Sequence, residues 1–337
     1  MTNARPTQTE ARTPKTDLEP TRANREELAE RIARHVVADD STEVAPGLFL
    51  NHASMPTGPI YGVSEPSFCV IAQGSKEIFL GGDRYRYDPS QYLLVSVGLP
   101  LAGHIVEATP DKPYLAMRLV LDPALVTSVL IEADLKSTRG DGGVRGLAVS
   151  RLDDDLLETA LRLVRLLDTP NDYAVLAPLA TREIVYRLLR GEQADRLRQI
   201  AVVGGRMDRM ARAIQLLREN FDQPLSIAEM ANHLGMSVSG FHHHFKSATA
   251  MSPLQFQKRV RLQEARRLLL KGEADAATAG FRVGYQDQSH FSREYKRLFG
   301  EPPMRDVRRL TAYATSRDEP RERQRASLIR AARSGRS

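Results

Sequence analysis

Between residues 25 and 37, Leu28, Ile32, Ala33 and Val36 recur at three- and four-residue spacing, a single apolar stripe that predicts one helix. The period then changes. From residue 42 to about 121, short runs rich in Val, Ile, Tyr, Phe and Leu are cut by Gly, Pro or Asp every eight to twelve residues, which is the pattern of an antiparallel β sandwich or barrel. Within the run 68–73, Phe68, Val70 and Ala72 share one face and Cys69, Ile71 and Gln73 the other. Gly74-Ser75 separates this run from 76–80 and reads as a two-residue hairpin loop, with Gly supplying the positive φ of a primed turn. A second turn at Gly81-Gly82-Asp83 leads into Arg84-Tyr85-Arg86-Tyr87, whose alternation turns both tyrosines to one face and both arginines to the other. Residues 91–97 and 114–121 supply further strands.

Residues 152–167 and 173–189 return to helical spacing, with Leu156, Ala160, Leu163 and Leu167 on one stripe and Val175, Leu179, Ile184 and Leu188 on the next. These stripes either pack on the barrel or form a homodimer seam. Residues 190–206, with Gly191, Gly204 and Gly205, read as an interdomain linker. The expected organisation is therefore a disordered arm over 1–22, a barrel domain over 23–190, a linker over 191–206, a helical domain over 207–310 and a basic disordered tail over 311–337. Arm and tail lack the apolar period needed to offset the entropy of ordering.

The helical domain contains a weak internal repeat. Ala231, Gly235, Phe241 and Phe245-Lys246 are echoed by Gly280, Gly284-Tyr285, Phe291 and Tyr295-Lys296, offset by 49 residues at the glycines and 50 at the phenylalanines. A small residue four positions before a Gly, with a new helix opening beyond it, is a helix-turn-helix signature: the small residue lets two helices approach and the Gly makes the sharp turn. Between the copies, Ser252-Pro253 opens a helix that runs to Leu270, a strut of ~27 Å at 1.5 Å per residue. That length suits two recognition helices in successive major grooves, which repeat every ~34 Å.

Composition narrows the function. No apolar run approaches a membrane span and the first 15 residues lack a signal-peptide core, so a cytoplasmic protein with no membrane partner is expected. A lone cysteine, Cys69, excludes an internal disulfide and a cysteine zinc site. The net charge of +6 is unevenly spread: residues 1–200 carry 23 Lys+Arg against 28 Asp+Glu, and residues 201–337 carry 25 against 14. Only the second part is equipped to meet a polyanion, most economically double-stranded DNA.

Gly284-Tyr285, Phe291-Ser292-Arg293, Tyr295-Lys296, Phe299-Gly300 and Pro303 together resemble the AraC/XylS transcription regulators. Residues 42–132 also resemble the AraC-type N-terminal sensor domain, through Glu65-Pro66-Ser67, Gln73-Gly74-Ser75-Lys76, Tyr87-Asp88, residues 92–96 and Pro113-Tyr114-Leu115. The resemblance implies an α+β chain with a cupin-like β-barrel and accessory helices, then an all-α domain of two helix-turn-helix motifs joined by a long helix. It also implies a small-molecule effector and RNA polymerase as partners, and no enzymatic activity. Two positions depart from the family pattern. Ala279-Gly280 replaces a large aliphatic followed by Ala, which should loosen the second motif because Gly costs ~1 kcal/mol inside a helix. His243 stands where the first recognition helix usually has Arg, which weakens guanine readout there.

Helical geometry turns Phe241 and Phe245 inward and leaves Ser239, His242, His243 and Lys246 for DNA. In the second unit Phe291 and Tyr295 turn inward, leaving Gln288, Ser289, Ser292, Arg293 and Lys296. Arg293 can donate two hydrogen bonds to guanine and Gln288 can bridge adenine, whereas Lys246 and Lys296 suit phosphates. Tyr85, Tyr87 and Tyr92 either belong to the core or line an effector pocket with Gln73 and Cys69, the candidate pocket residues, with Cys69 expected to be a buried, inert thiol. His242-His243-His244 does not suit a metal, because neighbours on a helix diverge by ~100°. His52 and His104 alone are too few for a cupin metal centre, so no cofactor is expected and a metalloenzyme is the less favoured alternative. A barrel that only dimerises is another.

Overall fold

The computed structural model describes residues 18–135, 145–201 and 206–312; the arm up to residue 17 and the basic tail from residue 313 lie outside them. Ten strands build the first half: β1 (Asp40–Ala45), β2 (Leu48–Ala53), β3 (Ile60–Ser64), β4 (Ser67–Gln73), β5 (Ser75–Leu80), β6 (Asp83–Tyr87), β7 (Gln91–Val95), β8 (Leu99–Glu107), β9 (Tyr114–Val120) and β10 (Leu147–Arg151). They form a larger sheet in the order β1-β2-β9-β4-β7-β10 and a smaller one in the order β3-β8-β5-β6, with every neighbouring pair antiparallel.

The two faces of β4 define the barrel. Phe68, Val70 and Ala72 join a core beneath the helices, while Cys69 and Ile71 join one between the sheets, as the alternation requires. The helix-covered face is closed by α1 (Leu18–His35), α2 (Pro123–Glu132), α3 (Asp154–Arg165) and α4 (Pro170–Arg190). Leu28 and Ile32 of α1 are fully buried there. Ion pairs fix the same helix to its neighbours, and the Arg165 guanidinium, hydrogen-bonded to Glu27, holds that carboxyl down at about 2.

Several expectations need correction. The helix expected from residue 25 begins at Leu18, and Thr21, assigned to the arm, donates its hydroxyl hydrogen to Asp154 at 2.6 Å. Gly74 does not close a hairpin. β4 pairs with β7 and β9, β5 with β6 and β8, so at Gly74 the chain crosses from one sheet to the other. The crossing is tight: φ is +87°, and a Cβ there would sit 2.4 Å from the Glu107 carbonyl oxygen. The two-residue hairpin is Gly81-Gly82, closing β5 onto β6 with Leu80 opposite Asp83. The stretch expected as linker contains α5 (Ala194–Ala201), whose Leu197 is fully buried in the helix-covered core. Gly204 and Gly205 lie outside the described residues. The stripe assigned to residues 173–189 is divided, with Ile184 and Leu188 buried and Val175 and Leu179 exposed.

The second half is helical: α6 (Arg206–Glu219), α7 (Ile227–His233), α8 (Val238–Thr249), α9 (Pro253–Leu270), α10 (Ala276–Arg282), α11 (Gln288–Phe299) and α12 over residues 303–312. Side chains cap the starts of α7 through α11, from Ser226, Ser237, Ser252, Asp275 and Asp287 in turn, each contributing ~1 kcal/mol. Ser252 and Gln255 complete a reciprocal capping box at the start of α9, whose 18 residues are those expected of the strut. The halves are not separate bodies. Met210, Ile214, Leu217, Phe241 and Phe245 continue the core that lies between the two sheets, meeting Val97, Leu99 and Leu147.

Candidate nucleic-acid interface and barrel interior

The two helix-turn-helix units are α7–α8 and α10–α11. Each turn rests on a glycine in the left-handed region, Gly235 at φ +62° and Gly284 at +88°. A Cβ on Gly284 would approach the Asp222 carbonyl oxygen to 2.2 Å, so this turn is packed against the loop that enters the first unit. Phe241 and Phe245 are fully buried on α8, as are Phe291 and Tyr295 on α11. The opposite faces carry the expected residues: Ser239, His242, His243 and Lys246 on α8 and Gln288, Ser289, Arg293 and Lys296 on α11 are all exposed, while Ser292 is half-buried at the edge.

The relative placement of these faces is fixed by a residue the sequence did not single out. Arg261, midway along α9, donates from Nη1 to the Gly284 carbonyl at 2.9 Å, from Nε to the Phe221 carbonyl at 2.5 Å, and from Nη2 to the carbonyls of Asp222 and Gln223 at 3.1 and 2.9 Å. One guanidinium thus joins the loop before the first unit to the turn of the second. Its planar fork makes such a multi-carbonyl clamp possible, and a lysine would not reproduce it. Behind α11, Asp306 of α12 is fully buried and receives Arg266 at 2.8 and 2.9 Å, the Tyr295 hydroxyl at 3.0 Å and Arg309 at 2.7 Å. This buried network locks α9, α11 and α12 together.

Gly280 packs so closely on Phe291 that a Cβ would lie 2.9 Å from the ring Cγ, and the missing side chain is what admits the phenyl group. His243 stays exposed, with its ring 5.2 Å from that of His244.

The C-terminal end of α8 is held by the barrel. Arg145 Nη1 donates to the carbonyls of Lys246 and Ser247 at 3.0 and 3.2 Å, and the Gly146 amide donates to the Ala248 carbonyl at 2.8 Å. Arg145 also pairs with Asp83 of the β5–β6 hairpin at 2.9 Å. The second unit touches the barrel through Tyr61, which packs edge-on against Phe299 at 4.8 Å and donates its hydroxyl hydrogen to the Leu298 carbonyl. Between the hairpin and the helices lies a cleft of about 470 Å³, lined by Gly81, Met251, Gln255, Lys258, Arg259, Glu294 and Arg297 among others.

The candidate pocket residues are not all brought together. Cys69 and Tyr87 face the space between the sheets, and Tyr85 packs half-buried at its margin. Tyr92 belongs to the opposite face: its ring lies 5.5 Å from Phe68 under the helices, and burial pushes its hydroxyl up to about 12. Strand parity within β7 could not reveal this, because Tyr92 opposes Val70 on β4 and the pairing partner was unknown. Gln73 is half-buried, with its amide donating to the Pro113 carbonyl at 2.8 Å. Burial raises the Cys69 thiol, which favours the protonated, unreactive form. Tyr87 is hydrogen-bonded to Tyr114, a buried lumen residue that the sequence reading placed on a strand without assigning a role. His52 pairs with Asp39 at 3.1 Å, and His104 stacks on Phe79 beside Glu77. Among the described residues no three His, Cys, Asp or Glu side chains are grouped to hold a metal, and no helix is long and apolar enough to cross a membrane.

Comparison with known proteins matches both halves in order. Residues 44–196 match the AraC-type transcriptional regulator N-terminus and residues 230–309 a helix-turn-helix domain. The HTH-type transcriptional activator RhaS of Salmonella schwarzengrund is 28% identical over 161 residues, covering 47% of this chain and 56% of RhaS, so the alignment spans little more than half of that relative. The transcriptional activator NphR of Rhodococcus sp is 25% identical over 236 residues, covering 70% of this chain and 67% of NphR. Among solved structures, wild-type ToxT from Vibrio cholerae superposes with a TM-score of 0.51 at 12% identity, covering 79% of this chain and 96% of ToxT, a likeness of fold. A barrel matching the AraC-type N-terminus, followed by paired helix-turn-helix units on a common strut, places the chain in the AraC/XylS family of transcription regulators.

Proposed function

We propose that this chain is a sequence-specific DNA-binding transcription regulator whose barrel senses a small molecule and whose two recognition helices enter successive major grooves on one side of the duplex. The observation that carries the reading is the pair of exposed polar faces on α8 and α11, held in fixed relation by α9 and the Arg261 clamp. Arg293 and Gln288 are the base readers, Lys246 and Lys296 the phosphate contacts, and Ser239, His242, His243, Ser289 and Ser292 line the same faces. On this reading the protein works in the cytoplasm with DNA and RNA polymerase as its partners, a reading that its likeness to transcriptional activators supports.

The barrel also supports self-association. On α4, Val175, Leu176 and Leu179 are 68%, 43% and 60% exposed, with Tyr186 two turns on, an apolar strip of the kind a second copy covers. The test of the whole reading is selection from a random duplex pool by the full chain. Enrichment of a site with two recognised segments about one helical turn apart, with affinity falling steeply with salt, is the expected outcome. Binding with no enriched sequence would reduce the chain to a nonspecific DNA binder.

A further inference from the structure

The inner faces of the two sheets carry two cations, and among the described residues no carboxylate pairs with either. Strand parity places Lys76 on the inner face of β5 with Ile78 and Leu80, and its cross-strand neighbour is Tyr87. On the facing sheet Arg118 stands opposite both Cys69 and Phe49, with its guanidinium 3.9 Å from the Phe49 ring centre. Arg118 is the ladder partner of Cys69 on the same inner face, and both Lys76 and Arg118 oppose the rise that burial imposes on the Cys69 thiol. Lys76 and Arg118 are both half-buried. Glu77, the neighbouring carboxylate, alternates to the outer face, where it pairs with Arg84 and His104. Among the described residues neither Lys76 nor Arg118 makes an ion pair.

Burying one ammonium without a partner is unfavourable, and setting a second cation within its field adds repulsion. A fold that needed only to fill this lumen would place an aliphatic side chain at each position. Tyr87 and Tyr114 hydrogen-bond each other, and Arg118 rests on the uncharged Phe49 ring, so neither cation meets an anion. The remaining lining is apolar, with Ile78 and Ile105 on the smaller sheet. From this juxtaposition we infer that the barrel's effector is a small organic acid, its carboxylate held between Lys76 and Arg118 and its apolar or aromatic body lying against Phe49 and the isoleucines. Arg118 supplies planar, two-point recognition and Lys76 a point charge from the opposite wall. The inference rests on the proposal that the barrel is a sensor and specifies the class of molecule it senses.

The experiment uses the full chain and four named acids, benzoate, phenylacetate, hexanoate and succinate, against the matching amides at constant ionic strength. Thermal unfolding reads binding, and fluorescence anisotropy on the selected duplex reads the response. At least one acid should raise the midpoint saturably while its amide does not, and Lys76→Met and Arg118→Met should each weaken that acid tenfold or more. Without ligand, the Met variants should unfold at or above the wild-type midpoint, because each removes an unanswered charge. The inference falls if no acid acts, if amides act equally, if the effect survives the double variant, or if the Met variants destabilise the free protein. A chain that selects its duplex yet ignores all four acids loses the acid assignment and keeps its place as a DNA-binding regulator. One that binds an acid with unchanged duplex affinity keeps the site and loses the sensor role.

Discussion

The two helix-turn-helix units share a plan and differ in what supports them. The first is packed into the barrel: Phe241 and Phe245 belong to the same core as Val97, Leu99 and Ile71, and the end of its recognition helix is tied to Arg145 and Gly146. The second has its own core of Val283, Phe291, Tyr295 and Phe299 against Leu262 and Ala265, closed by the buried Asp306 network. Their outward faces differ in the same sense, since the first offers His242 and His243 and the second Gln288 and Arg293. A division of labour follows. The proposed function therefore assigns sequence reading to the second unit and the effector response to the first, because a ligand can act only through contacts that differ between two arrangements.

The largest expected effect concerns the independence of the second unit. Asp306→Ala leaves Arg266 buried without its partner, and breaking such a pair costs ~3–5 kcal/mol. Hydrogen exchange should show lost protection in α11 and α12, with β4 and α8 unchanged. Equal loss in α8 would show that the two units share one support and would end the comparison.

That independence was only partly legible in the sequence. The inward phenylalanines, the turn glycines and the 18-residue strut followed from helical period and spacing, because a helix buried on one side must repeat its apolar residues every three to four positions. The alternation of residues 68–73 was readable for a similar reason, since both faces of β4 are buried but in different cores. Sheet membership was not readable. A Gly between two strands looks the same whether it closes a hairpin or crosses between sheets, which is why Gly74 was misassigned and Tyr92 placed in the lumen. The linker was misread because Gly191, Gly204 and Gly205 outweighed Leu197, one apolar residue whose burial depends on a distant partner. Lys76 was the missed signal. Its parity with Ile78 and Leu80 was present in the chain from the start, yet a lysine at a strand end reads as solvated until the facing sheet is known.

Gly280→Ala tests the packing inside the second unit. The new Cβ would meet the Phe291 ring at 2.9 Å, an overpacking that costs ~1–3 kcal/mol when the ring cannot yield. Chemical denaturation should show the loss. Stabilisation instead, as helix propensity alone expects, would mean that the ring moves freely and that this core is looser than the contact implies.

The outward faces are compared by paired substitutions. Arg293→Ala should weaken binding to the selected duplex by ~1–3 kcal/mol and relax preference at one base pair, whereas Lys296→Ala should weaken all sequences alike. His243→Ala should change affinity less than Arg293→Ala, since an imidazole lacks the planar two-pronged fork of a guanidinium. Site selection with each variant separates these outcomes. An unchanged base preference in Arg293→Ala removes it from readout, and a larger loss for His243→Ala reverses the assignment of reader and follower.

The smallest effect is the most informative about regulation. Arg145 is about one-third exposed and spans Asp83 of the hairpin and the last carbonyls of α8, so Arg145→Met removes the barrel's polar hold on the first recognition helix while the apolar core beneath remains. Charge-assisted hydrogen bonds contribute ~1.5–3 kcal/mol each when sheltered, and exposure reduces an ion pair to ~0–1 kcal/mol, so the loss of global stability should be near 1 kcal/mol. The local consequence should be clearer than the global one. Amides near Ala248 should exchange faster, those near Tyr295 should not, and basal affinity for the selected duplex should change little because Arg145 is not on the DNA-facing side of α8. What should fall is the response of duplex affinity to an effector that still binds the barrel, since the connection between lumen and helix has been cut at one of its two anchors, the other being the Gly146 amide. A variant that binds effector and responds as the wild type does would place the path elsewhere, with Tyr61 and Phe299 the next contact to cut.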